Sequence, residues 1–229
     1  MKKKLASILV ALSLLLALPS STTAHGGSDH GIYPWNPGGT GGHHTLAVCL
    51  GSMYGGTFWN LSDSAHARLW EAMQAWHNVY GSQALIRAGS GNVQWSGCPS
   101  QVYRVYIYVV PGSAYPFYGN GDKMTAQHSQ THISCPGHWP PGGPQYQVCN
   151  QNSSIYINDD YLWYVGPGTP PGGSLDFESA LIHELGHTLG LSDIGCTTPY
   201  VMCNNLNIQQ IRRTLHYHDV FNLQYLYNH

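Results

Sequence analysis

His183-Glu184-Leu185-Gly186-His187-Thr188-Leu189-Gly190-Leu191-Ser192-Asp193 sets two histidines four residues apart with a glutamate beside the first. At about 100° per residue, four steps bring His187 to within about 40° of His183 and one turn further along a helix, so both imidazoles reach one point beside it. Two histidines at that spacing with an adjacent carboxylate suit a zinc ion. A catalytic zinc takes three protein ligands and keeps one position for water. The third donor therefore comes from beyond the helix. A glutamate on a later helix is one solution, but no Glu follows Glu184 in the chain. The other is a sharp reversal: Gly190, three residues after His187, lets the backbone turn back so that Asp193 returns to the ion. His216 or His218 is the alternative third ligand, with Asp193 then merely capping a turn.

Working outward, Leu175, Phe177, Leu181, Ile182, Leu185 and Leu189 repeat at helical spacing around these histidines. Ser174 or Asp176 can cap the helix after a Gly/Pro loop from Gly166 to Gly173, and Gly190 stops it in a left-handed conformation. Upstream, Ala65, Leu69, Ala72, Met73, Trp76 and Tyr80 predict a helix from Asp63 to about Tyr80, and Trp70 and Trp76 are assigned to the core. Thr45 to Leu50, Ala84 to Trp95, Val102 to Val110 and Ser154 to Tyr164 read as strands, with Pro111 to Asn152 as a loop-rich stretch. A last helix ends at Tyr227 and begins at Ile208 or His218. Strands and helices in this order predict an α+β domain.

The ends of the chain set its compartment. Met1 to Ala24 opens with Lys2, Lys3 and Lys4, runs through apolar residues from Leu5 to Leu18 and closes on Thr22 and Ala24, the pattern of a secretory signal peptide. The apolar run is shorter than the ~20 residues a membrane span needs. Residues 25–44, with His25, His30, His43 and His44 among glycines, read as a flexible segment or short propeptide, and 45–229 as the folded domain. Charged residues are only 9% of the 229-residue chain, while 42% are apolar. That excludes a disordered chain. Of nine Lys and Arg, three lie in the first four positions, so the remaining six face eleven acidic residues. Such a balance excludes a nucleic-acid backbone as partner. Cys49, Cys98, Cys135, Cys149, Cys196 and Cys203 are even in number, and in a secreted chain they predict three disulfides. Proximity in sequence favours Cys196 with Cys203, Cys135 with Cys149 and Cys49 with Cys98.

His-Glu-x-x-His-x-x-Gly-x-x-Asp at His183–Asp193 resembles the zinc signature of the metzincin metalloproteases, and its aspartate variant is similar to the snapalysin family of small secreted bacterial proteases. Met202, nine residues past Asp193, is placed like the methionine of the metzincin turn, which forms an apolar floor beneath the metal. His218 to Tyr227 resembles the C-terminal helix of matrixins, a sister family. The strong likeness covers Ser174 to Tyr227, and a weaker one, in the order of elements, extends back to Thr45. The resemblance implies a twisted sheet with two helices above a cleft and a small lower subdomain carrying the last helix. It also implies a monomeric secreted endopeptidase acting on extended peptides. The chain departs from matrixins in lacking a propeptide cysteine before Thr45 and a recognisable histidine set for a second zinc. His128, His132 and His138 are the remaining candidates for that second metal.

On this reading one zinc is held by His183, His187 and Asp193; calcium is not indicated. Glu184 takes a proton from the attacking water and passes it to the departing amine. Gly190 and Met202 support the site, and a Cys196–Cys203 disulfide would fix the turn around Met202. An extended substrate would pair with an edge strand between Gly112 and Asn152, and the Asn204–Leu215 loop would set pocket depth. A secreted protein with a purely structural zinc, or a hydrolase of non-peptide amides on the same fold, stands as the alternative.

Overall fold

Val105, Ile107 and Val109 alternate with Tyr106 and Tyr108, and this period of two gives the central strand one fully apolar face. In the computed structural model, which describes residues 44–50, 63–79, 84–88, 104–114, 126–136, 146–195 and 200–227, those three side chains are 0%, 0% and 3% exposed. The strand β3 (Arg104–Val110) sits in the middle of a five-stranded sheet. Its companions are β1 (His44–Leu50), β2 (Ala84–Ala88), β4 (Ala126–Pro136) and β5 (Tyr146–Asn158), in the order β2-β1-β3-β5-β4. All neighbours run parallel except β4, which pairs antiparallel with β5 and forms an edge. Ile107 lies opposite Ile155 and Val109 opposite Ile157, so two strands present one continuous buried surface.

Parallel strands need a long crossover, and α1 (Asp63–His77) lies between β1 and β2 in the chain. Its stripe of Ala65, Leu69, Ala72, Met73 and Trp76 is at most 1% exposed. Each large side chain so buried contributes about 1.5–3 kcal/mol. The stripe packs on α2 (Phe177–Thr188), and the Trp76 indole donates to the Ile182 carbonyl at 2.8 Å. A short parallel pair, β6 (Trp163–Tyr164) with β7 (Leu175–Asp176), leads into α2, and α3 (Tyr217–Tyr227) ends the described chain. Leu223 of α3 and Met202 join the same apolar cluster as both other helices and the sheet. The chain thus mixes helices and strands as an α+β arrangement. Among the described residues no helix is long and apolar enough to cross a membrane.

Several expectations need correction. Pro111–Asn152 is not simply a loop: eleven residues form β4 and β5 starts at Tyr146. The β4–β5 register slips between Thr131 and His132, and such a bulge resets the alternation that would have marked the strand in sequence. Ser154–Tyr164 is not one strand. It breaks after Asn158, where Asp160 N donates to the Asn158 side chain at 3.0 Å and Asp159 N to Val110 O at 2.8 Å, a turn built by an asparagine. Helix α1 stops at His77 rather than Tyr80, and Trp70, one residue off its buried stripe, is 42% exposed rather than core. The last helix begins at Tyr217. His44 belongs to β1 rather than to the preceding segment. The signal-peptide reading for 1–24, the segment 25–43, and the strand continuations at 89–95 and 102–103 lie outside the described residues.

Candidate metal centre

Helix α2 starts where Asp176 adopts an extended conformation (φ −82°, ψ 112°) and its carboxylate accepts the Ser179 N–H at 3.0 Å. Of the two capping residues the sequence offered, Asp176 is the one used. Arg213 donates to the Asp176 carboxylate through Nε at 2.9 Å and through Nη2, and Arg68 donates to Glu178 at 2.9 Å. Two carboxylates at the positive end of the helix dipole are thereby paired with two guanidinium groups. The far end closes as Gly190 takes φ +93°; Gly190 N donates to His187 O at 2.9 Å and Leu191 N to Gly186 O at 3.0 Å. These two bonds form a Schellman cap, which needs a residue free to enter the left-handed region.

The reversal at Gly190 returns the chain to the histidines it has just left. Leu191 O lies 2.8 Å from His187 Nδ1, and Val201 O lies 2.9 Å from His183 Nδ1. A carbonyl oxygen only accepts, so each Nδ1 carries a proton, and a ring in its neutral form turns a bare Nε2 lone pair inward. The two Nε2 atoms are 3.0 Å apart, and Asp193 Oδ1 stands 3.3 Å from the first and 3.4 Å from the second. Three electron-rich atoms thus crowd one point, which is unfavourable unless a cation sits there.

The spacing fits a particular kind of cation. With zinc–ligand bonds of about 2.0–2.1 Å, the edge of a tetrahedron is about 3.3–3.4 Å. The separations of 3.0, 3.3 and 3.4 Å match three edges of such a figure. Two imidazoles and one carboxylate also form a donor set suited to zinc. Asp193 is half exposed, so the centre opens to solvent on that side.

The electrostatics follow from the crowding. For His187, burial opposes charge, but the hydrogen bond to Asp193, the charges of Glu184 and Asp193 and the Leu191 carbonyl outweigh it and raise the pKa to about 9. Burial would raise Asp193, yet its hydrogen bonds to His183 and His187 and their charges hold it well below the usual carboxylate range. Glu184 is pushed up, chiefly by burial. Its Oε2 is buried and has no hydrogen-bond partner. An unsatisfied buried carboxylate oxygen costs free energy, and a water or substrate group bound beside the donors would satisfy it.

Met202 is 2% exposed and packs beneath α2. A Cβ added at Gly186 would fall 2.3 Å from Met202 Sδ and 2.9 Å from Trp76 Cζ2. Helix propensity alone favours Ala over Gly by about 1 kcal/mol, whereas overpacking a filled core costs about 1–3 kcal/mol. Gly186→Ala is therefore expected to lower stability by up to about 2 kcal/mol in urea unfolding; a stabilised variant would show that the contact yields freely.

The turn bearing Met202 is tied on every side. Asp219, 1% exposed, accepts Val201 N at 3.2 Å, Met202 N at 3.3 Å and His216 N at 2.8 Å. Met202 O accepts Ile194 N at 2.8 Å, and Cys203 O accepts Arg212 Nη1 at 2.9 Å. His216 and His218, the alternative third ligands, are not in the donor group; they pack against Tyr200 with ring centroids 4.5 and 5.1 Å away. Among the described residues, His183, His187 and Asp193 are the one group of three or more metal-ligating side chains within reach of one another.

Other candidates fall elsewhere. His138 and the side chains of His128 and His132 lie outside the described residues, as do Cys98, Cys196 and the side chains of Cys49, Cys135 and Cys149. Cys203 is disulfide-bonded, and no described cysteine is free; the three expected pairings lie outside the described residues. The backbone register sets Cys135 opposite Gln147 and Cys149 opposite Ile133.

Sequence reasoning passed over Asp219, Arg212, Arg213 and Arg68. The usable signal was scarcity: with charged residues at 9% of the chain, a charge embedded in an apolar segment warrants a partner. Compared with protein-family models the chain matches none, and compared with curated proteins it has no significant match.

Proposed function

We propose that this chain is a secreted zinc-dependent endopeptidase of the metzincin type, with the snapalysin-like aspartate as third ligand. The observation that carries the reading is the convergence of His183 Nε2, His187 Nε2 and Asp193 Oδ1 within 3.0–3.4 Å of one another, in a chain segment that also supplies the buried Glu184. A zinc ion held by these three residues would acidify a water and polarise a carbonyl. Glu184 would serve as the base that accepts a proton from the attacking water and as the acid that returns it to the departing amine nitrogen. The carbonyls of Val201 and Leu191 keep both imidazoles in the tautomer this requires.

The finer fold reading follows the same proposal: the sheet with α1 and α2 forms the upper part, α3 belongs to the lower one, and the cleft lies between. The antiparallel edge strand β4 lies within the interval expected to pair with an extended substrate. Its outer edge, which pairs with no other strand among the described residues, can accept one more antiparallel strand, which would satisfy the peptide backbone and leave side chains to select.

A zinc with a purely structural role has no use for Glu184. Its buried, unpartnered Oε2 favours catalysis over that alternative. Metal analysis of the secreted protein is expected to return about one zinc per chain, following from a single three-donor site. A chelator should stop casein cleavage and added zinc restore it. Absence of bound metal, or cleavage indifferent to the chelator, would overturn the proposal. Cleavage of small non-peptide amides without casein cleavage would favour the amide-hydrolase alternative.

A further inference from the structure

We infer that Arg212 is a positioning residue for the metal centre, acting through the Tyr200–Cys203 turn on the orientation of His183. The inference rests on the metal-centre reading above. Arg212 is 6% exposed, and its guanidinium reaches neutral oxygens: Nη1 donates to Cys203 O and Nη2 to Gln210 Oε1, both at 2.9 Å, while Nε has no partner. The carboxylates of Asp176 and Glu178 are engaged by Arg213 and Arg68, and that of Asp219 accepts three backbone amides. A guanidinium buried against neutral groups is costly, and an apolar side chain of similar volume usually packs there at least as well. The charge is thus poorly explained by packing alone.

What an apolar side chain lacks is the fork. Arg212 spans two parts of the site. Its backbone N–H donates to Ser179 Oγ at 2.7 Å, in the first turn of α2, and Ser179 N is in turn held by the Asp176 cap. Its guanidinium holds the carbonyl of Cys203, two residues past Val201, whose own carbonyl fixes His183 Nδ1 at 2.9 Å. Arg212 is thus a strut from the start of the helix that bears both histidines to the turn that orients one of them. Its second arm steadies the following loop, because Gln210 Oε1 also accepts Asn207 N at 3.0 Å. Removing the guanidinium takes its hydrogen bond from the Cys203 carbonyl, in a residue 2% exposed, and loosens the hold of the turn on His183.

The full chain, stripped of metal, is titrated with zinc against a chromophoric chelator at a temperature where circular dichroism shows each variant folded. Outer partners of metal ligands contribute about 10–100-fold in affinity. Arg212→Met is expected to weaken zinc binding by about that factor. Arg212→Lys, with one donor and no fork, should fall between it and the wild type. Arg68→Met removes a different, partly buried guanidinium that pairs with Glu178 at the same end of α2; it should lower the unfolding temperature and leave zinc affinity unchanged. In a His183→Ala background, Arg212→Met should add nothing further, as coupling through that histidine requires. Should Arg212→Met fail to fold, the lysine variant decides alone. A wild type that takes up zinc while the folded Arg212 variants bind it equally well overturns the inference alone. A wild type that takes up none overturns the metal-centre reading, and this inference falls with it.

Discussion

Glu184→Gln is expected to keep about one zinc per chain and to lose about 10²–10⁴-fold in kcat on casein, with KM little changed. The substitution preserves volume and removes only the ability to hold and release a proton. The metal should stay, because the donor atoms that converge are those of His183, His187 and Asp193, and Glu184 is not among them. Activity should go, because Glu184 is the residue beside His183 whose carboxyl oxygen is buried without a partner. Burial raises its proton affinity first and foremost; the charges of His183 and His187 work against that, and Asp193 adds to it. A base raised in this way takes a proton from an acidified water more readily than an ordinary carboxylate does. A glutamine variant that keeps a tenth or more of wild-type turnover would place the base elsewhere. One that loses its zinc would mean that Glu184 holds the metal rather than the proton.

The centre was legible in sequence because its logic is local. His183 and His187 share a helix face by periodicity, and Gly190 announces the reversal that returns Asp193, here seen as a Schellman cap with φ +93° at the glycine. The buried stripe of α1 was equally plain, since Leu69, Met73 and Trp76 obey the same period. What escaped depends on distant pairings. The β4 strand was hidden by its slip at Thr131/His132 and by having, among the described residues, one hydrogen-bonded neighbour rather than two. The carbonyls that fix the imidazoles leave no mark on side-chain identity at Leu191 or Val201, because any residue supplies a carbonyl. Asp219 reaches the amides of Val201 and Met202 from 18 and 17 residues away, and Arg212 reaches the Cys203 carbonyl from 9, separations at which spacing carries no information. The donor cluster was therefore readable, while the scaffold that aims it was not.

Zinc affinity is expected to fall about a hundredfold between pH 8 and pH 6, because one proton competes for the place of the ion. Both Nδ1 atoms are committed to carbonyls, so a further proton on His187 must occupy Nε2, the atom that would bind the metal. Burial alone would make that proton leave easily, but the hydrogen bond to Asp193 and the charges of Glu184 and Asp193 raise His187 to about 9. Asp193 is held well below the usual range and stays ionised throughout. Below pH 9 each unit of acidity then costs about tenfold in apparent affinity. The sign for stability is opposite in the two states. Without metal, a His187 raised above its ordinary value of 6.5 stabilises the fold below about pH 6.5, and that contribution fades as pH rises through about 9. Asp193 adds its share above the ordinary 3.8 and loses it as pH falls. The metal-stripped chain should therefore be less stable at pH 9 than at pH 6.5, whereas zinc loading should stabilise it most at pH 9. Thermal unfolding with and without chelator at both values tests this, and calorimetric titration in two buffers of different ionisation heat should count about one proton released per zinc near pH 7. Binding that releases none and keeps one affinity from pH 6 to pH 8 would mean that the Nε2 atoms do not hold the ion.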